Sequence, residues 1–389
     1  MEQDILIHGA RQLVTLRGDR QVRRGSAMKD LAVIKDGAVL IRNSTIVAVG
    51  TSRQLENMRE ARGAVKIPVN GRVVMPGFTD CSMRLMLGGM EAAVRRASGS
   101  ILVHEPNAVL RTALQHGTTR AELKIGGKDA ADELRALRQC LRLDPRGNDL
   151  VRTWEVCTGS NDDSAEIVRS RAIIFDYLQR PNAASFLEME LGPESLNPAK
   201  ALFEAALDRG LARKIRWRGP VDRSLIDLVS QVSARTISGI SSLSQSLAEK
   251  LCPLPVVLAV SVNHEMSTSF RGVLEIRSFL DGGGAVALAS GYDPLESPSF
   301  SMQMAIALAV FCLKLTPEEA ISAATINAAY AIGVGGKAGS IELGKEADLL
   351  VMNMGDYRDL PRQFGSNNAG MVIRGGTVVL NRIGWKGPK

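Results

Sequence analysis

Side chains able to do chemistry are few in this chain. It has four histidines, His8, His104, His116 and His264, and five cysteines, Cys81, Cys140, Cys157, Cys252 and Cys312. The cysteine count is odd, the spacing wide and no Cys-x-x-Cys occurs, so they read as reduced core thiols rather than a disulfide framework or a zinc knuckle. A nucleophilic serine would need a Gly-x-Ser-x-Gly elbow, which is absent, and neither Cys81 nor Ser82 has a histidine nearby in sequence. The glycines at 333, 335 and 336 read as a helix stop, because no strand-loop-helix pattern with Lys-Ser/Thr follows to make a phosphate cradle. What remains is charge: Asp80 and Arg84 around Cys81-Ser82-Met83, Glu122 with Lys124, Arg216 with Arg218, and Asp293 in Gly291-Tyr292-Asp293-Pro294.

These groups need a scaffold, and the composition supplies one. With 389 residues, 45% hydrophobic and 23% charged, and a mean hydropathy of +0.02, the chain can bury a large core. The longest apolar stretch, 302–315, is interrupted by Gln303 and Lys314 and falls short of the ~20 residues that span a bilayer. No membrane segment is expected. Glu2 and Asp4 do not suit a secretory leader, and the expected compartment is the cytoplasm. The formal charge of +7 comes from scattered basic residues interrupted by acids, and at 4% aromatic content little is available to stack on bases. A solvated basic surface is expected, with no nucleic-acid partner.

Short alternating segments at 4–7, 12–16, 31–34, 38–41, 45–49 and 72–75, separated by turn residues, predict an antiparallel sheet. From Pro76-Gly77 the pattern becomes helix then strand, repeated: a helix over 108–115 before a strand at 118–125, a helix over 129–143, helices at 198–207, 222–232 and 243–251 before strands at 211–217, 235–240 and 254–262, and a helix at 273–280 before 285–290. Fully apolar strands in such a succession imply parallel β structure covered on both faces, and a closed (β/α)8 barrel is the natural architecture. Thr316-Pro317-Glu318-Glu319 predicts a helix start with a capping box. Alternation returns at 340–343, 347–352, 371–373 and 378–380. The fold class expected is therefore α/β, a TIM-like (β/α)8 barrel over 75–333 beside a small β-sandwich assembled from 1–74 and 334–389.

Three segments, Val73-Val74-Met75-Pro76-Gly77-Phe78-Thr79-Asp80, Gly339-Ser340-Ile341-Glu342-Leu343-Gly344-Lys345-Glu346-Ala347-Asp348-Leu349 and Val372-Ile373-Arg374-Gly375-Gly376, resemble the amidohydrolase superfamily. Within it, His116-Gly117-Thr118-Thr119-Arg120-Ala121-Glu122-Leu123-Lys124, the run Ala287-Leu288-Ala289-Ser290, and the stretch from Met304 through Thr316-Pro317-Glu318-Glu319-Ala320 to Tyr330 resemble imidazolonepropionase. The resemblance covers nearly the whole chain and is weak over 146–212. It implies a barrel of the metal-dependent hydrolase type, and hydrolysis of a cyclic amide by water on a metal held by a His-x-His pair, further histidines and an aspartate.

The ligands this resemblance implies are replaced. The His-x-His positions fall on Ser82 and Arg84, the next histidine on Arg216, the following one within Ser238-Gly239-Ile240-Ser241-Ser242, and the aspartate on Gly291. A guanidinium puts a permanent positive charge where the cation would sit. Of the four histidines, His8 falls in the terminal sheet and His116 at a helix end that binds no metal in the family, while His104 and His264 read as loop or hydrogen-bonded imidazoles. The expectation is thus no metal and no cofactor, and no catalytic residue is assigned. The pocket candidates are Asp80, Ser82, Arg84, Lys124, Arg216, Tyr292 and Asp293. For Asp293 before Pro294, turn chemistry is the preferred reading. Lys124 and Glu122 read as an internal ion pair. For Arg84 and Arg216, pairing with Asp80 or another acid in the space the metal left is preferred, and anion binding comes second. The leading function is a catalytically degenerate amidohydrolase scaffold that takes a small anionic or cyclic-amide ligand, as a homo-oligomer or beside an active paralogue. The second is a working hydrolase of cyclic amides with an unconventional centre built on Asp80, Asp293 and other acids.

Overall fold

A computed structural model describes residues 4–87, 105–143, 149–157, 164–193, 196–263 and 276–387. His104 and His264 lie outside the described residues. The chain divides into two compact units, one of Met1–Asp80, Thr112–Arg120 and Ser301–Lys389, the other of Cys81–Arg111 and Ala121–Phe300.

The first unit is organised around one sheet drawn from both termini. Its strands are β1 (Ile5–Val14), β2 (Val33–Arg42), β3 (Thr45–Thr51), β4 (Val65–Pro68) and β5 (Val73–Pro76), joined late in the chain by three more. Most pairings are antiparallel, but β4 and β5 both run parallel to β1, dividing its edge so that Ile5 to His8 face β4 while Gln12 and Leu13 face β5. This departs from the wholly antiparallel sheet the sequence suggested. The intervening capped helix Ser52–Glu56 supplies the crossover that a parallel return needs. Alternate residues Ile7, Leu13, Val39, Ile41, Ile67 and Val74 meet in one apolar core.

The Gly344-Lys345-Glu346-Ala347-Asp348 turn has a structural role in the same unit. Asp348 accepts from Arg120 at 2.8 Å and from the Gly375 backbone N–H at 2.8 Å, and Lys345, 1% exposed, donates to the Gly335 carbonyl at 2.8 Å and Ser340 Oγ at 2.5 Å. Burial pushes the Lys345 ammonium below its ordinary range, and Glu342 opposes the shift.

The barrel strands are β6 (Phe78–Met83), β7 (Thr118–Ile125), β8 (Asp149–Cys157), β9 (Phe186–Leu191), β10 (Ala212–Pro220), β11 (Thr236–Ser242), β12 (Val257–Ser261) and β13 (Ala285–Ala289). They follow one another in chain order across the sheet, with helices between them. A parallel bridge from Met83 to Tyr292 joins the first strand to the segment after the last and closes the ring. Asp129 and Asp222 cap the helices Ala130–Cys140 and Arg223–Val232, each accepting the third residue's N–H. The chain returns to the terminal sheet with β14 (Leu349–Met352), β15 (Ala369–Arg374) and β16 (Thr377–Asn381). Among the described residues no helix is long and apolar enough to cross a membrane.

Candidate functional site

Side chains alternate across a strand, so a barrel strand shows one set inward and the other to the helices. Past Arg152 on β8 and Arg213 on β10, four neighbouring strands carry polar and charged residues on one set and apolar residues on the other. On β7 Glu122 and Lys124 alternate with Ala121, Leu123 and Ile125, and on β8 Thr153 and Glu155 alternate with Trp154 and Val156. On β9 Glu188 and Glu190 alternate with Leu187, Met189 and Leu191, and on β10 Lys214 and Arg216 alternate with Ile215 and Trp217. The register sets Glu188 beside Glu155 and Lys214, and Glu190 beside Arg216.

The two acidic strands β8 and β9 are thus flanked by lysine and arginine from β7 and β10, and the charges pair. Glu122 receives the Lys214 ammonium at 2.6 Å and the Thr153 hydroxyl, and Lys124 lies 3.3 Å from it. Lys124 donates to Glu188 at 2.8 Å. The Lys214 ammonium also sits 4.2 Å from the centre of the Phe186 ring. Burial opposes the charge on Lys124, but Glu122 and Glu188 more than offset it and raise its pKa; Glu188 is held low by Lys124 despite burial. Lys214 moves the other way, because burial and the neighbouring Lys124 outweigh its bond to Glu122.

Toward the carboxyl ends of the strands, Arg84 takes up the central position. One of its terminal nitrogens donates to both Glu155 oxygens at 2.6 and 2.5 Å, and the other reaches Asp293 at 3.3 Å. Its backbone N–H is held by the Tyr292 carbonyl at 2.7 Å. Burial works against the guanidinium charge, yet Glu155 and then Asp293 raise its pKa above the ordinary value. Arg216 is held more loosely, 3.8 Å from Glu155 and 3.5 Å from Glu190, at distances where a hydrogen bond is long or absent. Arg218 shares Glu190 at 3.5 Å and is half exposed.

These groups surround a cavity of about 50 Å³ lined by Ser82, Arg84, Lys124, Arg216, Tyr292 and Asp293, with Ser238 and Ser261 among the other walls. Six of the seven pocket residues picked from the sequence thus come together. Asp80 is fully buried and does not line the cavity. It shares a strand face with Ser82 but lies two residues, roughly 6.6 Å, nearer the amino end of β6. Asp293 is both turn and pocket residue: one carboxylate oxygen accepts from the Leu295 and Glu296 backbone, the other faces Arg84. Tyr292, 2% exposed, has its phenol pushed up to about 12 by burial and Asp293, so it stays a protonated donor at neutral pH. Partial desolvation with Glu155 and Glu190 pushes the Cys157 thiol up to about 11, which leaves it a poor nucleophile. Glu155, Glu188 and Glu190 were not singled out from the sequence; their signal was the alternation of acid with apolar residues on β8 and β9.

The backbone also constrains what this mouth can hold. Gly291, where the resemblance places an aspartate, has φ +64°, and a Cβ there would come within 2.6 Å of Ser261 Cβ. Gly239, in the segment where it places a histidine, has φ +72°, and a Cβ would lie 2.8 Å from the Trp217 carbonyl oxygen. Both are positions where a longer side chain meets strain and contact together. Among the described residues, no three His, Cys, Asp or Glu side chains form a group able to hold a metal ion.

Comparison with known proteins agrees with this architecture. The Amidohydrolase family model matches residues 245–379. The chain is 31% identical to an imidazolonepropionase of Chloroflexus aggregans over 97% of its own length and 98% of the relative's, and 31% identical to one of Geobacillus kaustophilus with the same coverage of each. Among solved structures it resembles a triazine hydrolase from Arthobacter aurescens (TM-score 0.71, 16% identity, 98% of this chain and 96% of that one) and a zinc-bound adenosine deaminase from Xanthomonas campestris (TM-score 0.67, 16% identity, 98% and 94%). At that identity the structural likeness speaks for the fold.

Proposed function

The chain belongs to the amidohydrolase superfamily, among imidazolonepropionase-like proteins, and from that premise we propose that its barrel mouth has given up metal-dependent hydrolysis and binds a small anionic ligand. The observation that carries this reading is Arg84: at a position where the family places an imidazole, a guanidinium bridges Glu155 and Asp293. The donors present do not fit a divalent ion. A site able to make hydroxide near neutrality needs several imidazole or carboxylate ligands with one position open. Here Glu155, Glu188 and Asp293 are already engaged by Arg84, Lys124 and the turn at Asp293, and the Gly291 and Gly239 backbones leave no room for the two further ligands. The same engagement speaks against Asp293 as a general base in an unconventional hydrolase.

Anion binding rests on Arg216. Among the described residues its guanidinium faces the cavity with only long contacts to Glu155 and Glu190, so it retains N–H donors for a ligand, and Ser238 and Ser261 stand on the same walls. A fork of two parallel N–H groups is the geometry that suits a carboxylate. Thermal unfolding with and without acetate tests the reading. A carboxylate at ten times its Kd should stabilise the fold by about 1.4 kcal/mol. That stabilisation should vanish in Arg216→Ala and partly survive in Arg216→Lys; a carboxylate response unchanged in Arg216→Ala would refute it.

A further inference from the structure

We infer that the ligand is a carboxylate carrying a compact apolar body, with its head at Arg216 and its body in a second cavity; this rests on the anion-binding reading above. The cavity at Arg216 is small, about 50 Å³, and among the described residues Ala259 is its only aliphatic side chain. It can take a polar head and little else. A second cavity of about 260 Å³ adjoins it, and Arg84 and Lys124 line both. Its wall carries Leu85, Leu87, Ile125 and Ala136, each at most 5% exposed. Of the charged groups on that wall, Glu155 is bonded to Arg84 and Lys124 to Glu188, while Lys128 is 78% exposed to solvent, 3.8 Å from Asp132. What the larger cavity offers a newcomer is therefore its aliphatic side. One molecule reaching both must be polar and anionic at one end and apolar at the other, and it must be short.

Calorimetric titration of the full chain with acetate, butyrate and cyclopentanecarboxylate, and with butyramide as the uncharged counterpart, tests this. Each methylene moved from water onto the aliphatic wall should tighten binding about fourfold, so butyrate should bind roughly fifteenfold tighter than acetate. Cys157→Phe fills the second cavity from the end of β8, and Ala136→Met fills it from the helix Ala130–Cys140. Both should cut the gain with chain length and leave acetate binding unchanged, and the use of two variants guards against one that fails to fold. Acetate binding without any gain along the series overturns this inference alone. So does a gain untouched in both variants, or butyramide binding as tightly as butyrate. Absence of any carboxylate binding overturns this inference and the anion-binding reading together.

Discussion

Replacing Arg84 with methionine keeps much of its aliphatic stem and removes the charge, leaving two carboxylates without their cation. Removing one partner of a buried ion pair costs about 3–5 kcal/mol because the remaining charge is stranded in a medium of low polarity. Glu155 is 3% exposed and accepts two hydrogen bonds from Arg84, which argues for a large effect. Arg84 itself is 25% exposed, and Arg216 stays within 3.8 Å of Glu155, which argues for the lower end. The expected loss for Arg84→Met is therefore about 3 kcal/mol in denaturant unfolding. Glu155→Gln alone should also destabilise, because it leaves Arg84 with Asp293 only at 3.3 Å. The double variant should cost clearly less than the sum, with a coupling of about 2 kcal/mol, since charge and countercharge leave together. Circular dichroism with urea on the four proteins measures this. Additive losses, or an Arg84→Met variant as stable as the parent, would refute the claim that Arg84 supplies the cation these acids need.

Two further outcomes follow from the same geometry. Glu188 has its pKa lowered in the folded protein by Lys124 against burial, so its contribution to stability is present above its unfolded pKa of about 4.3 and is lost as pH falls through the lower folded value. Glu188→Gln should therefore cost about 3 kcal/mol at neutral pH, and the gap to the parent should narrow below about pH 4; a gap that is constant with pH would contradict the assignment. Gly77→Ala should lower stability by about 2 kcal/mol, because its Cβ would meet Thr119 at 2.2 Å from Oγ1 and 2.9 Å from Cβ, and rotating the threonine does not relieve the second contact. Thermal melts that show no loss would count against that packing.

What could be read from the sequence were the features written in neighbouring residues. Thr316 and Glu319 form the reciprocal cap their spacing implies, with the Thr316 N–H donating to Glu319 at 2.8 Å and Glu319 N–H donating to the Thr316 hydroxyl at 3.3 Å. Successive helix-then-strand units gave the barrel, because parallel strands need covering helices on their outer face. Arg84's partners could not be read that way. Glu155 is 71 residues and Asp293 is 209 residues away, and the ring closure at Met83 and Tyr292 is what brings them to one point. Asp80, the acid nearest in sequence, lies too deep along the same strand. Glu155, Glu188 and Glu190 were hidden for another reason: their strands fall in the stretch where the family resemblance is weakest, and their alternation with Leu187, Met189 and Leu191 matches a strand with one solvated face as well as one lining a charged barrel.

In the proposed reading, cationic side chains have taken the metal's place at the barrel mouth. Elemental analysis of the protein, purified without chelators and then incubated with excess zinc, manganese or iron(II) and desalted, measures it directly. None of these metals should remain bound near one per chain. A stoichiometric metal that survives desalting and is lost in Asp293→Ala would contradict that reading.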